Sequence, residues 1–140
     1  MANFTKAYRK VMQNEGGYVN NPADKGGETY KGISRKHHPN AKFWKTVDAL
    51  KKNYKDKALN SLLEDAPGVD AEIKSIYKTT YWDIFTLDNF KSQLLAEQIF
   101  DTAINMGVSK ATKLIQKILN LKQTGKLNNE LLNKLLEYGK

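Results

Sequence analysis

Apolar residues recur at helical spacing along almost the whole chain, and only the stretch between Gly16 and Gly32 interrupts this pattern. A segment with apolar residues at i, i+3, i+4 and i+7 folds as an amphipathic helix, because those positions share one face. The first such stripe consists of Phe4, Ala7, Tyr8, Val11 and Met12. It predicts a helix with Asn3 as its N-cap and the Gly16-Gly17 pair as its stop.

The other stripes predict a mainly α protein with one small glycine-rich loop or β-hairpin element. Ser34 is expected to cap a short helical turn before Pro39. Longer helices are predicted at 47–63, 70–82, 89–106, 111–119 and 127–136. The helix at 89–106 is long enough to be central and largely buried. In the stretch from Gly16 to Gly32, turn residues separate aromatic and β-branched ones, which is typical of a loop with a small hairpin.

The composition bounds the function classes without choosing among them. The chain has 140 residues, a formal net charge of +8, 40% hydrophobic residues and no cysteine. It is long enough for one packed domain, and disulfides, thiolate zinc sites and cysteine nucleophiles are excluded. No window approaches the roughly 18 apolar residues of a membrane span, so no stable membrane insertion is expected. Nucleic acid, an anionic cell-wall polymer and a membrane surface all remain possible partners of a basic chain.

Glu15 is the first candidate for chemistry. It lies four residues after Val11, on the apolar face of the first helix, and directly precedes the Gly-Gly stop. Removal from water and the negative end of a helix dipole both disfavour a carboxylate, so both raise its pKa. A carboxyl group that stays protonated near neutral pH can act as a general acid. The alternative is a surface glutamate before a C-cap glycine.

Asp24 and Thr29 follow Glu15 in the glycine-rich stretch, with the spacing Glu-x8-Asp-x4-Thr. A loop that folds back onto the helix end can place two carboxyl groups on either side of a glycosidic bond, with Thr29 helping to hold a water molecule. Asp24 is either catalytic or an organiser of its own turn. Glu28 is the competing second carboxylate, and is otherwise a solvent-facing or substrate-contacting side chain.

These residues carry a resemblance to a known family. The stretch from Glu15 to Ile33 reads EGGYVNNPADKGGETYKGI, and it resembles the signature of the glycoside hydrolase family 108 N-acetylmuramidases, the EGGY-type lysozymes. Two further blocks match in order, namely Ile76-Tyr77 with Tyr81-Trp82, and FDTAINMG at 100–107. The Glu-x8-Asp-x4-Thr spacing is also similar to the Glu-x8-Asp-x5-Thr set of phage-type lysozymes.

The resemblance implies a fold, an activity and a catalytic acid. The fold would be an α+β lysozyme-like one, and the enzyme would cleave the β-1,4 bond between N-acetylmuramic acid and N-acetylglucosamine in peptidoglycan. Glu15 would be the acid, and no cofactor or metal would be required. A non-catalytic peptidoglycan-binding or secretion-accessory protein of the same fold is the alternative. A nucleic-acid binder is not expected, because no motif of that class is present.

The resemblance also suggests a division of the chain. Residues 1–107 would form the catalytic domain, and residues 108–140 a shortened, helical peptidoglycan-binding-like segment packed on it. The stretch from Ala111 to Gln116 fits the Ala-x4-Gln start of such a segment, but its usual Asp-Gly turn is reduced to Thr124-Gly125-Lys126. This departure makes packing as reasonable a role as sugar binding.

Several other residues are candidate contacts to the glycan strand. Aromatic rings stack on sugars, although they more often belong to the core. The aromatic candidates are Tyr18, Tyr30, Tyr81 and Trp82, of which Tyr30 and Trp82 are favoured. Asp101 and Asn105 lie one helical turn apart, and they either line the cleft opposite Glu15 or satisfy loop backbone groups.

The distribution of charge favours a cell-wall partner. Residues 31–57 hold nine basic and two acidic residues, residues 58–107 three and eight, and residues 108–140 seven and two. Two basic blocks on either side of an acidic one favour adsorption to an anionic wall over uniform coating by a polyanion. Because no secretory signal is readable near the N-terminus, we expect the protein to be made in the cytoplasm and to reach the wall by holin-type release or dedicated export. We also expect it to be a monomer.

Overall fold

The computed structural model describes residues 1–23 and 27–139, and within them it has seven α-helices and a three-stranded antiparallel sheet. The helices are α1 Phe4–Asn14, α2 Phe43–Lys51, α3 Asp56–Asp65, α4 Val69–Tyr77, α5 Gln93–Met106, α6 Val108–Ile118 and α7 Asn129–Tyr138. The strands are β1 Tyr18–Asn20, β2 Glu28–Tyr30 and β3 Ile33–Ser34, in the order β1-β2-β3. The mainly α class with one small β element is confirmed.

The chain forms two compact units. Met12–Ile76 make up one, here called the sheet unit, and Met1–Val11 with Tyr77–Lys140 make up the other, here called the helical unit. The first is built on the three strands with α2, α3 and most of α4. The second combines the first turns of α1 with α5, α6 and α7.

In the sheet unit, a glutamate on α4 supplies the cap that α2 lacks. The α2 sequence offers no side-chain cap of its own, and Glu72 instead accepts the backbone N–H groups of Lys42 at 2.7 Å and Phe43 at 2.6 Å. The first N–H groups of a helix have no partner within it, and a carboxylate there also suits the helix dipole. The apolar residues behind these helices, Val47, Leu59, Leu63 and Ile73, are almost fully buried.

In the helical unit, the aromatic residues predicted on α1 form the core. The Phe4 ring lies 5.5 Å from Trp82 and 5.7 Å from Phe100 between centroids, both edge to face. Asn3 caps α1 by accepting the N–H of Lys6 at 3.0 Å, so the predicted N-cap is confirmed. The apolar stripe therefore predicted both the existence of this helix and its buried face correctly.

The predicted helix at 47–63 is wrong, because two helices occupy this range. α2 ends at Lys51 and α3 begins at Asp56, whose backbone has a φ of 53° in the left-handed region. Few residues other than glycine adopt this region, although Asp tolerates it better than most. As a result Tyr54, predicted on the apolar face, lies between the helices with 46% of its surface exposed.

Two other helix predictions need correction. The helix predicted to run to Trp82 ends as an α-helix at Tyr77 and continues as a π-helical turn at Lys78–Trp82. The helix predicted from residue 89 begins at Gln93, after Ser92 as its N-cap. It is buried on one face only, since Leu94 is 68% exposed. In the part of the chain that the structure describes, no helix has the length and apolar character to cross a membrane.

Candidate active site

Glu15 lies at the junction of α1 and the sheet. α1 ends at Asn14, Glu15 follows directly, and β1 begins at Tyr18. The Glu15 side chain is half-buried, in agreement with a position at the end of an apolar helix face. Two glycines, Gly16 and Gly17, are therefore the whole connection between the candidate acid and the first strand.

A side-chain amide from α3 holds this connection. Asn60 accepts the backbone N–H of Tyr18 through Oδ1 at 2.8 Å. Its amide also fills the space where a side chain at residue 17 would begin, since a Cβ there would lie 2.7 Å from Asn60 Cγ. At Gly16, a Cβ would meet nothing within 4 Å. A side chain at residue 17 would thus displace the Asn60 amide, whereas one at residue 16 would not.

The Glu28 carboxylate is surrounded by donors of its own unit. It accepts hydrogen bonds from the Tyr18 hydroxyl, from Lys51 Nζ at 2.8 Å and from Arg35 at 3.0 Å. Burial raises the pKa of Glu28, but the bonds from Lys51, Tyr18 and Arg35 outweigh it and lower the pKa below its usual value. Burial and the bond to Glu28 together raise the pKa of Tyr18. Glu28 is therefore held as an anion, and its role as the second carboxylate or as a substrate contact stays a prediction.

Asp48 extends this ion-pair network. Arg35 binds it with two parallel hydrogen bonds of 2.7 Å, and the Arg35 guanidinium also lies 5.3 Å from the Trp44 ring centroid. The bond from Arg35 lowers the pKa of Asp48 to about 2. Lys51 lies between the two carboxylates, 3.3 Å from Asp48, and its pKa is raised mainly by Glu28. Two anions and two cations balance, so this corner of the sheet adds no net charge.

A groove of about 410 Å³ lies beside β1. The lining residues are Tyr18, Val19, Asn20, Lys51, Tyr54, Lys55, Asp56 and Leu59. Val19 and Tyr54 are each about half exposed, so the groove offers an aromatic face and an apolar side chain next to polar groups. Pockets that bind sugars combine such surfaces with a few polar contacts. Among the described residues, no group of His, Cys, Asp or Glu is arranged to hold a metal ion.

Comparison with known proteins identifies the family to which this chain belongs. Residues 8–107 match the family described as Glycosyl hydrolase 108. The chain belongs to glycosyl hydrolase family 108. A solved structure entitled "Structure of Brucella abortus SagA" is similar to this family 108 chain at 27% identity and a TM-score of 0.62, over 96% of this chain and 68% of that one. No curated protein matches. Membership identifies a glycoside hydrolase and supports a lysozyme-like action on peptidoglycan.

Two of the predicted sugar-stacking residues of this family 108 chain belong to the core instead. Tyr30 is 1% exposed, its ring lies 6.1 Å from that of Phe43, and burial raises its pKa. Trp82 is fully buried and donates its indole N–H to Asp88 at 2.7 Å. Because protein atoms cover both rings, the stacking prediction is wrong for these two residues. Tyr18, which lines the groove, remains a predicted contact.

The remaining residues predicted near the acid have different positions. Asp24 lies outside the described residues, and its role stays a prediction. Thr29 is half-buried in β2, opposite Val19 and Ser34 in register. Side chains alternate along a strand, so Thr29 lies on the sheet face opposite to Glu28. Its predicted part in holding a water molecule is untested.

Asp101 and Asn105 are both exposed on α5 in the helical unit. Asp101 lines a groove of about 380 Å³ between α5 and α6, whose other walls include Leu95, Leu114 and Ile118. No hydrogen bond from either polar side chain to loop backbone is present in the described part of the chain. Their role as glycan contacts therefore stays a prediction.

The C-terminal segment uses the side-chain amide of Gln116 for packing. Gln116 is 2% exposed, donates to Thr124 and Lys126, and accepts the N–H of Gly125 at 2.9 Å. The amide is thus fully engaged in closing the loop between α6 and α7. The family match ends at residue 107, so a peptidoglycan-binding role of residues 108–140 and the boundary at 107 remain predictions.

Sequence reasoning missed the residues that hold the Gly17-Tyr18 backbone and the Glu28 carboxylate. Asn60 lies 42 positions after Tyr18 on α3, and nothing in the helical pattern distinguishes it. In the sequence, nothing distinguishes Arg35 and Asp48 from other charged residues, and only the fold shows that they form an ion pair. Only the Gly-Gly pair signalled that another group approaches the backbone at this point.

Proposed function

We propose that the protein is an N-acetylmuramidase that cleaves the β-1,4 bond between N-acetylmuramic acid and N-acetylglucosamine, with Glu15 as the general acid. The observation that carries the proposal is the contrast between two glutamates of the family-matched region. Glu28 is held ionised by three donors, and its pKa is lowered. Glu15 is half-buried directly after the last residue of α1, a position for which burial and the helix dipole predict a raised pKa.

In the proposed reaction, Glu15 donates its proton to the glycosidic oxygen as the bond to the anomeric carbon breaks. The positive charge that develops on the sugar is stabilised by the second carboxylate, for which Asp24 is the candidate, and water completes the cleavage. Thr29 is proposed to orient this water. The products are a chain ending in reducing N-acetylmuramic acid and a chain beginning with N-acetylglucosamine.

The groove beside β1 and the charge pattern support a polymeric, anionic substrate. The groove starts at Tyr18, three residues after Glu15, so their Cα atoms are at most about 11 Å apart, which is about the length of a disaccharide. The basic block at 31–57 favours adsorption to a wall polymer. We propose a monomer that reaches the wall by holin-type release or dedicated export.

The test is digestion of purified cell walls by the wild type and by Glu15→Gln, which keeps the shape and removes the proton. We expect Glu15→Gln to lose at least about 100-fold in rate, in line with the effect of removing a general acid. Glu130→Gln, the same change at an exposed position of α7, serves as the control and should retain full activity. Mass spectrometry of the fragments should find N-acetylmuramic acid at the reducing end.

The outcomes separate the alternatives. Equal activity of Glu15→Gln and the wild type would disprove the assignment of the acid. Wall binding without any cleavage by the wild type would favour the accessory protein. Fragments with N-acetylglucosamine at the reducing end would support a glycoside hydrolase but would show that it cleaves the other glycosidic bond of peptidoglycan.

A further inference from the structure

The connection between Glu15 and the sheet cannot by its own sequence hold the carboxyl group in one place. Gly16 and Gly17 lack a Cβ, and glycine populates more of φ/ψ space than any other residue. Neither of them has a positive φ, so this freedom is not required by the backbone conformation itself. Something outside the connection must therefore fix it.

Asn60 is the group that does so from α3. Its neighbours in sequence and along the helix, Leu59 and Leu63, are 2% and 1% exposed, so this part of α3 is anchored in the core. Asn60 Oδ1 accepts the N–H of Tyr18, and its amide lies against the backbone of Gly17. The Tyr18 nitrogen is thus the first backbone atom after Glu15 that is held by a distant element.

We propose that Asn60 is a positioning residue for catalysis: it fixes the Gly17-Tyr18 backbone and thereby keeps the Glu15 carboxyl group at the bond to be cleaved. This rests on the proposed role of Glu15. Asn60 itself touches neither the substrate nor the proton. A displacement of about 1 Å at a reacting group can cost about 100-fold in rate, so an anchor on the backbone three residues after the acid matters.

The first test compares two substitutions of Asn60 with almost the same shape. Asn60→Leu removes the acceptor, whereas Asn60→Asp keeps an oxygen that can accept the Tyr18 N–H. We expect Asn60→Leu to lower kcat about 10- to 100-fold with less than a twofold change in KM, and Asn60→Asp to retain kcat within about threefold. All rates are measured on purified walls, well below the melting temperature of each variant.

The second test approaches the same contact from the other side. A methyl group at residue 17 would overlap the Asn60 amide, whereas one at residue 16 would meet nothing. Gly17→Ala should therefore lower kcat to the same extent as Asn60→Leu. Gly16→Ala is the matched comparison, and should lower kcat less than Gly17→Ala does.

Several outcomes would overturn the proposal. They are full kcat in Asn60→Leu, equal behaviour of Gly17→Ala and Gly16→Ala, or an activity loss in both Asn60 variants that only follows a lowered melting temperature. Failure of the proposed function looks different, because Glu15→Gln would then be as active as the wild type. The Glu15 and Asn60 variants are therefore measured side by side.

Discussion

A glycine-containing segment in each unit is held by the side-chain amide of a helical residue, Asn60 in the sheet unit and Gln116 in the helical unit. The two amides differ in how much of their bonding capacity they use. Gln116 uses both its oxygen and its nitrogen, in bonds of 2.9 to 3.3 Å to the loop at 124–126, and is almost fully buried. Asn60 is half-buried and accepts the Tyr18 N–H through its oxygen.

The locations of Asn60 and Gln116 indicate that their bonds to backbone groups have different roles. Asn60 lies in the region that matches family 108, next to the candidate acid, while Gln116 lies beyond residue 107. A fully buried amide with three partners contributes mainly to stability, because its loss leaves polar groups without water or protein partners. An amide that fixes a short, glycine-rich connection beside a reactive group contributes mainly to geometry. The comparison therefore separates a stability effect from an activity effect.

The largest stability effect is expected for Gln116→Leu. This change leaves the N–H of Gly125 and the carbonyl of Lys126 without their buried side-chain partner. We expect the free energy of unfolding to fall by about 2–3 kcal/mol, measured by urea denaturation. The kcat of the folded variant should not change. Gln123→Leu, an exposed position in the same loop, is the control, and an equal loss there would show that the buried amide is not special.

A smaller effect is expected in acid, and two carboxyl groups of the sheet unit contribute to it. Neither amide titrates, but the pKa values of Glu28 and Asp48 are lowered in the folded state, that of Asp48 from 3.8 to about 2. A group with a lowered folded pKa stabilises the fold above its unfolded pKa, and this stabilisation is lost as the pH falls towards the folded value. Stability should therefore decline between about pH 4.5 and pH 2.

Asp48→Asn tests this decline, because it removes one of the two titrating groups and the bidentate bond to Arg35. The slope of unfolding free energy against pH should become shallower between pH 4.5 and 2. Asp65→Asn, at an exposed carboxyl group of α3, serves as the comparison variant. Hydrogen exchange should find acid-sensitive amides in residues 12–76, and the Asp48→Asn change should make these amides less sensitive to acid. Acid-sensitive amides confined to α5–α7 would contradict the prediction.

The smallest effect is expected for Tyr54→Ala at the groove beside β1. Tyr54 is 46% exposed, so its removal should change the free energy of unfolding by less than about 0.5 kcal/mol. A ring contact to a sugar is worth about 1 kcal/mol, which corresponds to a rise in KM of about fivefold. Tyr138→Ala, 59% exposed on α7, is the matched control. Equal KM values in the two variants would argue against the groove as a glycan contact.

The helical pattern predicted the elements well wherever one face of a helix decides its position. The stripe on α1, its Asn3 cap and the small β element are confirmed in the structure. The pattern was wrong at 47–63, because the apolar spacing continues across the break between α2 and α3. The left-handed backbone conformation of Asp56, which accompanies this break, cannot be recognised from that spacing. It was also wrong for Tyr30 and Trp82, since an aromatic residue in a motif can serve the core as well as a ligand.

The sequence by itself determined the mainly α class, the family resemblance and the choice of Glu15, because these depend on periodicity and on a contiguous motif. Only the tertiary structure showed that Glu28 is held as an anion, since its three donors, Tyr18, Arg35 and Lys51, come from separate parts of the chain. The same holds for Asn60, which meets Tyr18 across 42 residues. The protonation and orientation of a carboxyl group depend on neighbours in space, and a linear pattern records only neighbours along the chain.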